Sequence, residues 1–130
     1  MSTNKKKLLI TETMSPLGWD LFKGRDDVEA IPFPNMVTGA DFEALLKQHA
    51  PVHGVALGPT RFGEPELKAS EDMKVVARIG VGYDAIDVPA LSRYGVPLMT
   101  AGTANSPSVA EAAMFMMLPL AKRAQEMHTM

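Results

Sequence analysis

The sequence contains no cysteine, and this absence excludes disulfide bonds and thiolate chemistry and fits a cytoplasmic protein. Its net charge of −2 gives no electrostatic reason to expect nucleic acid or an anionic membrane as a partner. The one basic run, at residues 5–7, is interpreted as a solvated edge of the first strand. Residues 112–121 form the longest uncharged apolar run, about half of what a membrane span requires. No apolar segment near the N-terminus resembles a signal peptide, so we expect a soluble, cytoplasmic protein.

What the chain does have is a regular alternation of strand-like and helix-like segments. With 130 residues, of which 46% are hydrophobic, it is long enough to bury one core. Short apolar runs predict strands at residues 7–10, 28–31, 52–57, 74–78 and 96–99. Helices are expected after each strand, beginning near Ser15, Asp41, Glu64, Asp87 and either Ser106 or Ser108. Five strands alternating with helices predict an α/β fold, a flavodoxin-like doubly wound parallel sheet with a C-terminal crossing helix.

The stretch RIGVGYDAID, residues 78–87, is the most informative loop, because ligands of such sheets bind at the carboxyl ends of strands. Its G-x-G-x-x-A spacing resembles a dinucleotide-binding loop, but Asp84 and Asp87 would lie beside the pyrophosphate, and the next strand end carries no acid for the ribose. Gly80 and Gly82 also fit a simple sharp turn. A third interpretation is that the amides of Val81 and Gly82 form a cradle for a carboxylate.

Other chemical sites are weak in this sequence. Residues 11–15 carry hydroxyls but place Met14 where a flavodoxin phosphate loop has glycine, and the third strand lacks the terminal aspartate of a receiver domain. Pro51 separates His49 from His53, so the two histidines do not share a helical face and are interpreted as surface or packing residues. The methionines and phenylalanine at 114–117 are interpreted as core or subunit contact. Taken alone, the residues name no reaction.

Residues 73–123 resemble the D-isomer-specific 2-hydroxyacid dehydrogenases, the family that includes phosphoglycerate dehydrogenase. The segments GVGYDAIDV, GVP and ANSPSVAE and the long apolar helix follow one another in that family's order and spacing. The resemblance implies that the amides of Val81 and Gly82 face the substrate carboxylate, that Val81 also approaches the nicotinamide, and that Asn105 contacts substrate. The substrate-binding arginine of phosphoglycerate dehydrogenases aligns with Gly58 here. Arg61, three residues later, is the candidate replacement, and a phosphorylated substrate is therefore not expected.

The same resemblance implies that different segments of a longer chain bind the substrate and the nucleotide. Residues 1–121 match the N-terminal part of the substrate domain, and residues 122–130 match the start of the crossing into an NAD(P)-binding domain. The family's catalytic residues and pyrophosphate loop would follow Met130, so we expect no catalytic residue here, no tightly bound NAD or NADP, and no activity from these residues alone. The expected partners are a small 2-hydroxy or 2-keto acid and a second copy, as a homodimer. The alternative is a stand-alone binding module that kept the fold and lost the chemistry.

Overall fold

A computed structural model describes residues 5–124. Five strands and five helices alternate along these residues. Their bounds are β1 Lys6–Thr11, α1 Pro16–Asp20, β2 Val28–Phe33, α2 Gly39–His49, β3 Val52–Leu57, α3 Glu64–Ser70, β4 Glu71–Arg78, α4 Val88–Tyr94, β5 Leu98–Thr100 and α5 Ser106–Ala121. All pairings are parallel, in the order β2-β1-β3-β4-β5. The predicted flavodoxin-like doubly wound sheet is confirmed.

One face of the sheet carries the hydrophobic core. Leu9, Val55 and Val76 lie in register across β1, β3 and β4 and are buried. Helices α2, α3 and α4 cover them with Phe42, Leu46, Leu67 and Leu91, and the rings of Phe33 and Phe42 pack with centroids 4.9 Å apart. Each fully buried side chain of this size stabilises the fold by roughly 1.5 to 3 kcal/mol. This face therefore holds the strands, and with them the loops that leave their carboxyl ends.

The opposite face of the sheet contains an apolar hollow of about 150 Å³. It is lined by Leu8, Ile10, Phe22, Gly54, Val55, Ala56, Val75 and Ala77. The methionines and phenylalanine at 114–117 are not core residues of the described fold, because α5 has no buried residue and Phe115 and Leu120 are 73% and 79% exposed. The apolar periodicity of α5 indicates that it needs a cover but does not say which element supplies one.

Several element boundaries differ from the predicted ones for local reasons. Strand β2 continues through Pro32 to Phe33, which an edge strand tolerates because one side of its backbone needs no partner. Thr38 rather than Asp41 caps α2, and its hydroxyl accepts the Asp41 N–H at 3.2 Å. Strand β4 begins at Glu71, which has a φ of 64° where α3 turns directly into the strand.

The remaining observations concern the length of α1, the start of β5 and the bounds of α5. Helix α1 has only five residues and no buried residue, and its Leu17 is 78% exposed. Val96 lies before β5, since its N–H donates to Leu91 O and closes α4. Helix α5 begins at Ser106, one of its two expected starts, and runs through Pro119 to Ala121. The expected crossing at residues 122–130 lies mostly outside the described residues.

Candidate functional site

The loop that follows β4 presents backbone amides at the carboxyl edge of the sheet. The N–H of Ile79 donates to Leu57 O at 2.9 Å, and that of Gly80 donates back to Arg78 O at 2.9 Å. Gly80 has a φ of 152°, which favours glycine, so the chain reverses here and exposes Val81 and Gly82. No acceptor among residues 5–124 takes the N–H of Val81 or Gly82. Two neighbouring amides are therefore available to an anion.

The same loop does not fit a dinucleotide pyrophosphate. Asp87 caps the seven-residue helix α4, and its Oδ1 accepts the Ala90 N–H at 2.9 Å, so a carboxylate already occupies the helix N-terminus. The carboxylate of Asp84 lies close to Gly82, with Oδ2 3.4 Å from the position that a Cβ there would take. Strand β5 ends at Thr100 with no acid to bind a ribose. The glycine spacing thus does not build a cofactor site in this loop.

The loops after β3 and β4 are joined by a short backbone bridge between Phe62 and Ile86. The Phe62 N–H donates to Ala85 O at 3.0 Å, and Phe62 O accepts the Asp87 N–H at 2.9 Å. This pairing brings Arg61 against the β4 loop, where it lines a cavity of about 400 Å³ together with Asp84 and Asp87. The Arg61 side chain is exposed and forms no ion pair within the described part of the chain. Arg61 is consequently an unpaired cation in a loop that is bonded to the β4 loop.

Arg61 also lines a second cavity, of about 270 Å³, at the ends of β2 and β3. Its other lining residues are Asn35, Met36, Val37, Thr38, Gly39, Pro59 and Thr60. The Thr60 hydroxyl, which is buried, donates to Asn35 O at 3.3 Å and so ties the two loops together. Sequence reasoning missed Asn35 because it did not inspect the loop after the second strand. Its position directly after β2, at a carboxyl end, is the signal that would have found it.

Asn105 lies at the start of α5 in a different setting. It occupies the N-cap position, and its side chain makes no capping hydrogen bond and is exposed. The loop before it is tied to the β4 loop, because the Ala101 N–H donates to Gly80 O at 2.9 Å. Val81, Gly82 and Asn105 line neither of the two cavities that Arg61 lines. The four predicted residues therefore share one edge of the sheet, and of the four only Arg61 lines these two open cavities.

The histidines lie away from this edge. His53 is the second residue of β3, at the amino end, and is only 5% exposed. His49 ends α2 at that same edge, and His128 lies outside the described residues. No group of acidic or histidine side chains within residues 5–124 has the arrangement of a metal site. The described carboxyl edge thus offers amides and a guanidinium for binding an anion, and it offers no histidine for proton transfer.

The sequence matches a known protein family and individual relatives. The family model for the D-isomer specific 2-hydroxyacid dehydrogenase, catalytic domain, matches residues 8–128. The D-3-phosphoglycerate dehydrogenase of Methanocaldococcus jannaschii is 36% identical over 118 residues, which cover 89% of this chain and 21% of that protein. The chain thus spans about a fifth of the length of that relative.

Two solved structures share the fold. The NAD⁺-bound 3-phosphoglycerate dehydrogenase of Entamoeba histolytica superposes with a TM-score of 0.73 at 22% identity, covering 88% of this chain and 39% of that one. The glyoxylate/hydroxypyruvate reductase of Sinorhizobium meliloti, in complex with NADP and malonate, gives a TM-score of 0.66 at 20% identity, covering 94% and 37%. With the family match over residues 8–128, the chain belongs to the D-isomer specific 2-hydroxyacid dehydrogenases, within their catalytic domain.

Proposed function

We propose that this chain is the substrate-binding part of an NAD(P)-dependent D-2-hydroxyacid dehydrogenase, an enzyme that transfers hydride between C2 of a small 2-hydroxy or 2-keto acid and the nicotinamide. The observation that carries the proposal is the pair of free amides at Val81 and Gly82, in a loop that the Phe62–Ile86 bridge joins to the loop of the unpaired cation Arg61. The relatives are named as dehydrogenases and reductases of such acids, which supports the same substrate class here.

In this proposal the amides of Val81 and Gly82 bind the substrate carboxylate. Hydrogen bonds from N–H groups to an ionised carboxylate are about twice as strong as those between neutral groups. Asp84 opposes an anion at this position, since its carboxylate lies close to Gly82. Arg61 offsets that repulsion from across the Phe62–Ile86 bridge. The pairing of the two loops is therefore what makes an anion site next to an acid feasible.

When bound, the nicotinamide would accept hydride from C2 of a 2-hydroxy acid or donate it to C2 of a 2-keto acid. Val81 is 39% exposed, and its branched apolar side chain can contact the flat face of the ring. The loop around it does not fit the pyrophosphate, because Asp84 and Asp87 occupy that side. We therefore propose that residues beyond these 130 bind the nucleotide and supply the acid/base group, and that residues 1–121 form the N-terminal part of the substrate domain.

The assembly and location of the enzyme are part of the proposal. Helix α5 exposes apolar side chains along its whole length, which favours a homodimer built on this helix. Within residues 5–124 no helix is both long and apolar enough to cross a bilayer. Because the sequence contains no cysteine, we propose that the enzyme is cytoplasmic.

The test of this function is an NMR titration of the chain with glyoxylate. The amide signals of Val81 and Gly82 should move, and Arg61→Gln should weaken binding by roughly tenfold, because the positive charge that offsets Asp84 is lost. Arg25→Gln is the matched control, since Arg25 is already paired with Asp27 on a distant loop. Unmoved signals at Val81 and Gly82 up to saturating glyoxylate would contradict the proposal.

A second measurement follows absorbance of NADH with glyoxylate, hydroxypyruvate or pyruvate. The chain alone should give no turnover above a mock preparation, because the described carboxyl edge carries no histidine for the proton transfer. Turnover by the chain alone would contradict the proposal that other residues bind the nucleotide and supply the acid/base group.

A further inference from the structure

We propose that the side-chain amide of Asn35, acting with Arg61, binds the group at C3 of the substrate and selects short 2-hydroxy acids with a polar C3 substituent over those with an alkyl one. The inference rests on the proposed function and concerns the other end of the same substrate. Asn35 and Arg61 line one cavity of about 270 Å³ at the ends of β2 and β3. Arg61 also lines the cavity that borders the β4 loop, so it connects the two regions.

Two threonines fix the direction of the Asn35 amide. The hydroxyl of Thr11 donates to Asn35 Oδ1 at 3.1 Å, and that of Thr13 donates to the same oxygen at 3.0 Å. Thr11 is fully buried at the end of β1, so its hydroxyl fixes the position of Asn35 Oδ1. An amide whose oxygen accepts two hydroxyls has its NH₂ group directed away from them.

The NH₂ group of Asn35 is free to donate. Within the part of the chain that the structure describes, Asn35 Nδ2 has no protein acceptor, and it is not buried from solvent. Its two protons and the Arg61 guanidinium are the side-chain donors of this cavity that no protein group uses, since the Thr60 hydroxyl donates to Asn35 O and the Thr38 hydroxyl donates to Asp41 Oδ2. Both kinds of donor suit a hydroxyl or carboxylate oxygen, and an alkyl group would leave them without a partner.

Gly58 leaves the space that the Asn35 side-chain amide occupies. A Cβ at position 58 would lie 2.0 Å from Asn35 Oδ1, so the Asn35 side chain and any side chain at position 58 exclude each other. The end of β3 therefore cannot carry an arginine while Asn35 keeps its position. The substituent at C3 meets a neutral amide at this point and a single cation at Arg61, which suits a hydroxymethyl or a carboxylate group.

The experiment compares D-glycerate with D-lactate, which differ by one hydroxyl on C3, in NMR titrations of the 130-residue chain. D-Glycerate should bind roughly 3- to 10-fold more tightly, because a neutral hydrogen bond is worth that much. It alone should shift the Asn35 side-chain NH₂ signals, while both acids shift the amides of Val81 and Gly82. Asn35→Ala should reduce D-glycerate binding to the level of D-lactate and leave D-lactate unchanged.

Asn35→Asp provides a second variant with the size of the native residue. It keeps an oxygen for Thr11 and Thr13, removes the donors, and should also abolish the preference for D-glycerate. Gln48→Ala, which removes an exposed amide from α2, is the matched control and should retain it.

The two proposals fail in different ways. If both acids shift Val81 and Gly82 with equal affinity, or if either folded Asn35 variant keeps the preference, the role of Asn35 is overturned and the proposed function stands. If neither acid moves Val81 or Gly82, the proposed function is overturned, and the role of Asn35 is overturned with it.

Discussion

The Nδ1 atom of His53 accepts a hydrogen bond from the backbone N–H of Lys7 at 3.1 Å and so joins the amino ends of β3 and β1. Nδ1 can accept only when it carries no proton, and the ring is 5% exposed. Burial lowers the pKa of His53 below its usual 6.5, and the charge of Lys6 lowers it further, while Asp72 partly opposes both. The native state therefore holds His53 in its neutral form.

This arrangement predicts that the protein loses stability as the pH falls through 6.5. The pKa of His53 is lower in the folded than in the unfolded state. The unfolded chain therefore takes up the proton first, and the free energy of unfolding decreases below the unfolded pKa. Urea unfolding between pH 5 and 8 measures the change. His53→Gln should flatten this dependence, His49→Gln should keep it, and a native slope equal to that of His53→Gln would contradict the prediction.

Gly58→Ala should destabilise the fold by roughly 1 to 3 kcal/mol, the usual cost of overpacking. Its Cβ would fall 2.0 Å from Asn35 Oδ1, so Asn35 must leave Thr11 and Thr13. Urea unfolding measures the loss. In the Asn35→Ala background the same change should cost much less, and equal costs in the two backgrounds would show that Asn35 is not the obstacle.

Asp87→Ala should cost about 1 kcal/mol, because Asp87 Oδ1 accepts the Ala90 N–H and caps α4. Asp87→Asn keeps an oxygen for the cap and should cost only a few tenths of a kcal/mol. Asp84→Ala removes a nearby acid without a capping role and is the control for charge. Equal unfolding free energies for Asp87→Ala and Asp84→Ala would argue against the cap.

Asn105→Ala, in the complete enzyme, should lower kcat/KM by roughly one to two decades if Asn105 hydrogen-bonds a charged substrate group. The side chain has no capping role at the start of α5, so its removal should leave stability nearly unchanged. Steady-state kinetics together with thermal unfolding separate the two effects. Unchanged kinetics would remove Asn105 from the site.

The chain should self-associate through α5, because Phe115, Met116 and Leu120 are 73%, 60% and 79% exposed. Sedimentation equilibrium over a range of concentrations measures this. Phe115→Glu should weaken association, whereas Leu17→Glu, at an equally exposed leucine on α1, should not. A monomer of 14.0 kDa at high concentration would contradict the prediction.

Local signals predicted the fold well because they act over a few residues. Ser15 and Asp87 each begin a helix as expected, and the side-chain oxygen of each accepts a backbone N–H of the first turn. The lack of any buried face on α5 was not predictable, since an apolar helix pattern does not identify the surface that covers it.

Only part of the candidate site could be predicted from the sequence. The loops that carry Val81 and Arg61 follow strands and were found from the sequence. Their contact through Phe62 and Ile86, and the approach of Asn35 to Gly58, join residues that are distant in the chain. Such contacts arise from the packing of loops, which no local pattern encodes.

The bridge between Phe62 and Ile86 also bears on the entropy of binding. Two backbone hydrogen bonds and two buried side chains fix the loop of Arg61 to the loop of Val81 and Gly82. A ligand that spans them would not have to order one loop relative to the other. The ordering cost that flexible loops add to an association would therefore be smaller for a ligand that contacts both loops.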